Sequence, residues 1–321
     1  MHEFLNQLHN DVWSHYDCFT VGEGVGIPLA EAPLYVDPAR KELHTIYHFD
    51  HFNLDTGPGG KFDIQPVNYQ KFKAIFYDWD KLTENNCWNI IYLGNHDLGR
   101  MLTRFGNHEY RETSAKLLNT ILLTLRGTPI IYMGDELGMT NSHYSNIDQI
   151  DDIETKNNYR ELVTNGSQSH EDFMRSANVS SRDHARTPMP WSADHQGGFT
   201  NKEPWIPLNP NYSEINAAAQ VNDPNSVYQY CAQLIKLRRT TPALIYGDLQ
   251  RSSLDDDRIF AYTRSLNDVE ILTILNLSSA SQLISIKNFS EENVLINNYQ
   301  NIVMNDGNII LQPWQAILIS E

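Results

Sequence analysis

The sequence predicts an α/β fold: the C-terminal half of a (β/α)8 TIM barrel followed by a small antiparallel all-β domain. Four apolar, β-prone runs in the first 140 residues each pass directly into polar residues, with helical patterns between most of them. Such alternation, with polar residues at the carboxyl ends of the strands, is typical of parallel barrels. A full barrel needs eight units and four are recognisable here, so we expect half of the active site to lie elsewhere.

The barrel elements follow in order along the chain. The predicted strands are 18–22, 45–49, 90–93 and 129–133, and the predicted helices are 3–15, 69–84 and 109–126. Each helix repeats apolar residues three or four positions apart. The helix at 109–126 stops at Gly127 with Pro129 just beyond, which is common chemistry for the end of a helix.

A long segment at about 141–224 is rich in Asn, Asp, Ser, Gly and Pro. Because structureless loops of that length are uncommon, we expect short helices within it, one of them at 152–161. Insertions at the carboxyl face of a barrel usually wall the active site. A final helix is predicted at 226–239, closed by Pro242.

From residue 243 onward the apolar pattern has period two, which indicates antiparallel strands. The clearest runs are 259–263, 271–275 and 309–311, and turn signals such as Asn305-Asp306-Gly307 separate them. We therefore assign residues 1–242 to barrel units five to eight and residues 243–321 to a C-terminal β domain.

The composition excludes several classes of partner. Lys and Arg total 24 against 40 Asp and Glu, which gives a net charge of −16. A surface of that sign repels nucleic acids and anionic membranes but suits neutral or cationic small molecules. We see no signal peptide and no apolar run of 18 residues. Three widely spaced cysteines suit reduced thiols in the cytoplasm, and Cys18 and Cys231 are expected in the core.

Two polar groups at strand ends carry the candidate chemistry. Glu23 follows the first strand between glycines, where partial desolvation would suit its carboxyl to donate a proton. The alternative is an ordinary loop carboxylate in water. Asn95-His96-Asp97 ends the third strand, where Asp accepts hydrogen bonds from sugar hydroxyls or stabilises positive charge and His donates to a hydroxyl. The alternative there is a loop turn with an Asx cap.

A metal site competes with this interpretation. Alternation along the second strand puts His44, His48 and Asp50 on one face and His51 on the other. Two histidines and a carboxylate are a possible ligand set. The neighbouring aromatic residues favour hydrogen-bonded polar groups of the barrel interior instead, so we predict neither a metal nor another cofactor.

Paired carboxylates at strand ends of an acidic barrel suggest cleavage of a glycosidic bond. At these residues the chain resembles the α-amylase superfamily of glycoside hydrolases, especially its α-glucosidase and oligo-1,6-glucosidase branch. The resemblance runs in the family's order over residues 1 to about 240. The segments that carry it are Thr20-Val21-Gly22-Glu23, Gly94-Asn95-His96-Asp97 with Arg104-Phe105-Gly106, Arg126-Gly127-Thr128-Pro129, Gly134-Asp135-Glu136-Leu137-Gly138-Met139-Thr140-Asn141, Ser181-Arg182-Asp183 with Ala185-Arg186-Thr187-Pro188-Met189, and Gly198-Phe199-Thr200.

The resemblance implies a retaining mechanism on short α-glucans. Glu23 matches the family's general acid/base at the end of the fifth strand. Asp97 matches the acidic residue at the end of the seventh strand that holds sugar hydroxyls and supports the transition state, and His96 matches the adjacent hydroxyl-binding histidine. Arg186 matches an arginine after the eighth strand that reaches the mouth of the active site. The nucleophilic Asp belongs to an Arg-x-Asp setting on the fourth strand, and nothing before Cys18 supplies it.

Several alternatives remain at this point. Met133, Pro190 and Leu98-Gly99 stand where this branch often has Gln, Gln and Gln-Pro. Linkage preference, α-1,4 against α-1,6, is open, and so is a relative that hydrolyses trehalose 6-phosphate. The competing class is a non-enzymatic remnant or a sugar-binding module. The open sheet edges predict an N-terminal half-barrel partner or self-association.

Overall fold

The computed structural model describes residues 1–287 and 289–320. The α-helices are α1 (His2–Asp11), α2 (Pro33–Val36), α3 (Tyr69–Asp80), α4 (Met101–Phe105), α5 (Arg111–Thr124), α6 (Ile153–Thr164), α7 (His170–Ser180), α8 (Asp183–Arg186), α9 (Ala217–Val221), α10 (Val227–Thr240) and α11 (Pro242–Tyr246). The strands are β1 (Val21–Glu23), β2 (Thr45–Tyr47), β3 (Thr56–Gly57), β4 (Gly60–Ile64), β5 (Ile90–Ile91), β6 (Thr128–Pro129), β7 (Asp248–Arg251), β8 (Ile259–Leu266), β9 (Val269–Asn276), β10 (Gln282–Ile284), β11 (Val294–Asn297), β12 (Val303–Asn305), β13 (Asn308–Leu311) and β14 (Ala316–Ser320).

The four predicted barrel strands are present but short, and they form two separate parallel pairs. Strand β1 pairs with β2, and β5 pairs with β6. Between β2 and β5 the contact is made by side chains: the Thr45 hydroxyl donates to the Trp88 carbonyl at 2.7 Å, and the Tyr92 hydroxyl donates to the His48 carbonyl at 2.5 Å. Cys18 lies before β1 and is exposed, so its prediction as a core residue is wrong.

Helices α3, α5 and α10 match their predicted positions. Asn68 caps α3 by accepting a hydrogen bond from the Lys71 amide at 3.0 Å, and Ser226 caps α10 in the same way. The three helices share one core with the β domain. That core includes Phe72 and Phe76 of α3, Leu118, Ile121 and Leu122 of α5, Tyr230, Cys231 and Leu234 of α10, and Phe260 and Tyr262 of β8.

Helix α1 is the exception among the predicted helices. It forms, but every one of its residues remains at least partly exposed. The apolar stripe of Phe4, Leu8 and Val12 faces outward, with exposed fractions of 68%, 44% and 42%. The periodicity predicted the helix correctly, whereas none of the other residues that the structure describes covers its apolar side.

The β domain has two antiparallel sheets, as the period-two pattern predicted. Five strands lie in the order β11-β14-β9-β8-β7 and three in the order β10-β13-β12. Its junction with the helices is polar as well as apolar. Arg238 donates to the carbonyls of Leu123 and Leu125, and Arg264 donates to that of Thr124. These carbonyls at the end of α5 lack partners within the helix, so the two arginines stabilise its C-terminus.

The long segment between β6 and α10 contains four α-helices in the described residues, including the predicted one, now α6. The Asp152 side chain caps α6, and Ser169 caps α7. Helix α7 packs against β4 through Phe173, whose ring stacks on Phe62 with centroids 4.8 Å apart. The insertion is therefore an ordered wall beside the strand ends. No helix of the described residues is long and apolar enough to cross a membrane.

Candidate active site

Asp97 lies in a tight turn beyond β5. The Asn95 side-chain oxygen accepts a hydrogen bond from the Asp97 amide at 2.9 Å, which is an Asx turn. The Asx-turn alternative is therefore correct as local geometry. It does not compete with a functional role, because the turn directs the Asp97 carboxylate, 40% exposed, toward the insertion.

Arg186 holds this turn from the other side. Its Nη2 donates to Asp97 Oδ1 at 2.8 Å, and its Nε donates to the His96 carbonyl at 2.9 Å. The His96 ring is exposed, with Nε2 3.4 Å from Asp97 Oδ2. The structure thus brings together three of the four residues that the sequence singled out, although 89 positions separate Arg186 from Asp97.

Glu23, the fourth residue, sits at the carboxyl end of β1. It is in register with Tyr47 of β2, and the Gly24 amide donates to the Tyr47 carbonyl at 3.0 Å. A side chain at Gly24 would place Cβ 2.8 Å from that carbonyl, so glycine is required by close approach. The Glu23 side chain is exposed, and the partial desolvation predicted for it is not seen in this chain.

Two tyrosines face the Glu23 carboxylate. Burial, together with the negative charge of Glu23, raises the pKa of Tyr47. The pKa of Tyr92, which follows β5, is raised by burial and by the same carboxylate among other groups. Glu23 is therefore close enough to influence groups at the ends of both β2 and β5.

A cleft of about 300 Å³ opens between the strand ends, the β3–β4 hairpin and the insertion. Phe49, Phe52 and Val25 supply much of its apolar lining. Its charged lining balances in sign, with three cations and three carboxylates: Lys61, Arg104, Arg182, Asp55, Asp97 and Glu154. A lining that is partly apolar and carries a few charged groups suits a ring that bears hydroxyls.

Sequence reasoning assigned no role to Arg182, Lys61 or Glu154. Arg182 donates to Asp152 Oδ1 at 2.6 Å and lies 3.6 Å from Asp97 Oδ1. Lys61 bonds Glu154 at 2.5 Å and reaches the Asp97 carbonyl at 3.4 Å. The only signal was Arg182 within a family motif, because the partners come from segments far apart in sequence.

Ion pairs hold the charged residues around the cleft in place. Burial alone would raise the pKa of Asp152, but hydrogen bonds from Arg182 and Thr155 lower it to about 2. Behind the cleft, Arg104 makes a buried two-pronged contact with Asp55 at 2.9 and 2.5 Å. Two-pronged, charge-assisted contacts of this kind hold both side chains in a defined geometry.

The histidine cluster does not form a metal site. His44 is exposed and bonds the Thr20 hydroxyl at 2.7 Å, and Asp50 accepts from the Trp79 indole at 2.7 Å. His48 and His51 are buried together, with ring centroids 5.3 Å apart. The predicted alternation fails because β2 ends at Tyr47 and a 3-10 turn follows.

The prediction of hydrogen-bonded interior histidines is also wrong in part. Among the described residues, neither ring nitrogen of His48 or His51 has a hydrogen-bond partner. Instead His48 stacks on Trp79 at 4.4 Å, and His51 packs edge-on against Tyr92 at 4.6 Å. Burial lowers the pKa of His48 to about 3 and that of His51 well below its usual value. Within residues 1–287 and 289–320, no group of three His, Cys, Asp or Glu side chains is arranged to hold a metal.

The chain matches known proteins over its whole length. The family model for the alpha-amylase catalytic domain matches residues 1–247. The oligo-1,6-glucosidase of Parageobacillus thermoglucosidasius is 41% identical over 321 residues, covering 98% of this chain and 57% of the relative. The trehalose-6-phosphate hydrolase of Bacillus subtilis is 37% identical over 278 residues, covering 86% of this chain and 49% of the relative.

Solved structures agree with these relatives. The crystal structure of isomaltulose synthase from Klebsiella sp. LX3 superposes with a TM-score of 0.94 at 34% identity, covering 99% of this chain and 58% of that one. The chain therefore spans about half the length of these relatives. With a family model that matches residues 1–247 and oligo-1,6-glucosidases among its relatives, this chain belongs to the alpha-amylase family and to its α-glucosidase branch.

Proposed function

We propose that this chain forms the acid/base and charge-stabilising half of a retaining α-glucosidase for short α-glucans such as isomalto- or malto-oligosaccharides. The observation that carries the proposal is the Asp97 carboxylate, held by Arg186 at the mouth of the cleft. A carboxylate that is held by an arginine and partly exposed can accept hydrogen bonds from sugar hydroxyls and stabilise positive charge at the anomeric carbon. His96 adds a further polar group for the same hydroxyls.

Glu23 carries the proton in this mechanism. As the bond between the anomeric carbon and the leaving oxygen breaks, the Glu23 carboxyl gives its proton to that oxygen. An aspartate outside this chain forms the covalent bond to the anomeric carbon. In the second step Glu23 removes a proton from water, the water oxygen attacks the anomeric carbon, and the aspartate leaves. This assignment rests on the family resemblance and on the position of Glu23 at the end of β1.

The proposed mechanism needs a nucleophilic aspartate from outside these residues. We infer that residues 1–242 form barrel units five to eight and dock onto an N-terminal half-barrel, with the β domain at 243–321 behind them. Exposed apolar side chains in the first 25 residues support this, among them Phe4 at 68%, Phe19 at 55% and Val25 at 68%. At the other edge, beside β6, an apolar groove of about 360 Å³ runs between Trp88, Ile131 and Ile235.

Neutral oligosaccharides fit the cleft better than a phosphorylated sugar. The cations Lys61 and Arg182 already pair with Glu154 and Asp152, so a phosphate would have to displace a carboxylate from each. We therefore place trehalose 6-phosphate second. The exposed Cys18 thiol supports a reducing compartment, and we propose the cytoplasm.

Reconstitution tests the proposal. The chain is expressed alone, and also with the N-terminal part of the P. thermoglucosidasius enzyme that lies outside its alignment to this chain. We expect hydrolysis of 4-nitrophenyl α-glucoside and isomaltose by the pair and none by the chain alone. Turnover by the isolated chain that Glu23→Gln abolishes would contradict the split. A folded, inactive pair that binds isomaltose would favour the sugar-binding module.

A further inference from the structure

We propose that Arg100 is a positioning residue that fixes Arg186, and through it Asp97, for the reaction. It lies three residues beyond Asp97, at the end of the same turn, and its side chain is only 2% exposed. The proposal rests on the function proposed above and adds a residue that touches neither substrate nor the reacting atoms.

The guanidinium of Arg100 connects three parts of the site. Its Nε donates to the His184 carbonyl at 3.0 Å, and its Nη2 donates to the Thr187 hydroxyl at 3.3 Å. These two contacts lie on either side of Arg186 in the sequence. Its Nη1 donates to the Met133 carbonyl at 2.5 Å, beyond β6. One planar, five-donor group thus fixes the segment that carries Arg186 against two strand ends.

The backbone of Arg100 is held as firmly as its side chain. Its amide donates to the Asn141 side-chain oxygen at 2.7 Å, and the Asn141 amide group donates to the Val179 carbonyl at 2.8 Å. A Cβ at Gly99 would lie 2.0 Å from that same carbonyl, so glycine allows the Asp97 turn to touch the end of α7. The Asp97 turn is therefore fixed relative to the segment that carries Arg186.

This arrangement explains why the exposed ion pair of Arg186 and Asp97 can have a fixed geometry. Arg186 and Asp97 are 30% and 40% exposed, and surface ion pairs are usually loose because two long side chains must be ordered. Here the main chain around both residues is already ordered by Arg100. Arg186 then has little conformational freedom left to lose when it binds Asp97 and the His96 carbonyl.

The test uses the full chain and needs no catalytic activity. Solvent exchange of the Arg186 Nε–H group is followed by ¹⁵N NMR, with the signal assigned by its loss in Arg186→Lys. In Arg100→Met we expect exchange to accelerate at least tenfold. The Nε–H of Arg126, which bonds Asp80 at 2.9 Å far from the site, is the internal reference and should change less than twofold.

Arg264→Met is the matched control, because Arg264 is equally buried and also donates to backbone carbonyls, but at the β-domain junction. It should leave the Arg186 signal within twofold of the parent. Equal acceleration in both variants, or none in Arg100→Met, would overturn the proposal. If Arg100→Met does not fold, Asn141→Ala takes its place, with acceleration expected again and parent-like exchange overturning it. Since catalysis is not read, failure of the proposed function alone leaves this result unchanged.

Discussion

The strand ends that carry Glu23 and Asp97 contrast within one chain. Asp97 is fixed by Arg186, by its own Asx turn and by an insertion that packs around it. Glu23 is exposed at the end of a three-residue strand, and the apolar side chains before it face outward. One candidate site residue thus has its environment inside this chain and the other does not. Neighbours in the same chain are enough to position a carboxylate. Raising the pKa of a general acid, in contrast, requires a surface that buries it.

The largest expected effect is a loss of folding stability as the pH falls. The rings of His48, His51 and His184 are buried, and burial lowers the pKa of His184 to about 4. The unfolded chain takes up these protons near pH 6.5 and the folded chain does not, so stability falls as pH drops below 6.5. Each histidine contributes about 1.4 kcal/mol per pH unit.

Two buried carboxyls oppose the histidines, since burial raises the pKa of Asp183 as well as that of Asp135. Burial raises the pKa of Asp135 to about 7, so protonating it between pH 7 and 4 favours the folded chain. We therefore expect a net loss of roughly 2–4 kcal/mol in the free energy of unfolding from pH 7 to pH 5. Urea unfolding across that range measures it. His48→Phe should reduce the slope by about 1.4 kcal/mol per pH unit, while His195→Phe, at an exposed position, should not. A flat profile in the parent would contradict the burial of the histidines.

The next largest effect is expected on kcat, when Glu23 or Asp97 is replaced. In the reconstituted enzyme, Glu23→Gln and Asp97→Asn should each lower kcat by about 10² or more, the scale of a lost general acid or charge stabiliser. Steady-state hydrolysis of 4-nitrophenyl α-glucoside measures this. Glu31→Gln and Asp148→Asn remove the same charges from exposed positions and serve as controls. A Glu23→Gln enzyme within twofold of the parent would remove Glu23 from the mechanism.

Removal of Arg186, which binds Asp97, should have a smaller effect on catalysis. Arg186→Met takes a charge-assisted bond from Asp97, and we expect kcat/KM to fall roughly tenfold. Arg175→Met, which breaks an exposed ion pair with Asp172 on α7, is the matched control and should change kcat/KM less than twofold. Equal kinetics in Arg186→Met and the parent would mean that Asp97 is oriented without it.

The exposed apolar residues near Glu23 should make the isolated chain associate with itself. We expect the isolated chain to elute in size-exclusion chromatography with light scattering at more than its 36.9 kDa. Phe4→Ser with Phe19→Ser should lower the mass, whereas Trp205→Ser, exposed at 75% within the insertion, should not. A monomeric parent with a cooperative melt would show that the strand edges are stable alone.

Local pattern predicted most elements of the fold. The helices at 69–84, 109–126 and 226–239 and the strands at 259–263 and 271–275 all form, because their apolar spacing matches the geometry in which they pack. Strands β1, β2, β5 and β6 are shorter than predicted. An apolar run shows where a strand can lie, but backbone pairing decides how far it extends, and among the described residues each of these strands pairs with one neighbour.

The sequence by itself predicted candidate residues for the chemistry: a carboxylate after each of two apolar strands, and a family order that includes His96 and Arg186. The tertiary structure decided which of them meet. Arg186 meets Asp97 across 89 positions, and the buried Arg100 donates to the His184 carbonyl two residues before Arg186. Likewise, His48 and His51 became unpartnered core residues because burial is set by packing around the strand end and not by alternation along it. Such contacts depend on distances in space, which spacing along a chain does not encode.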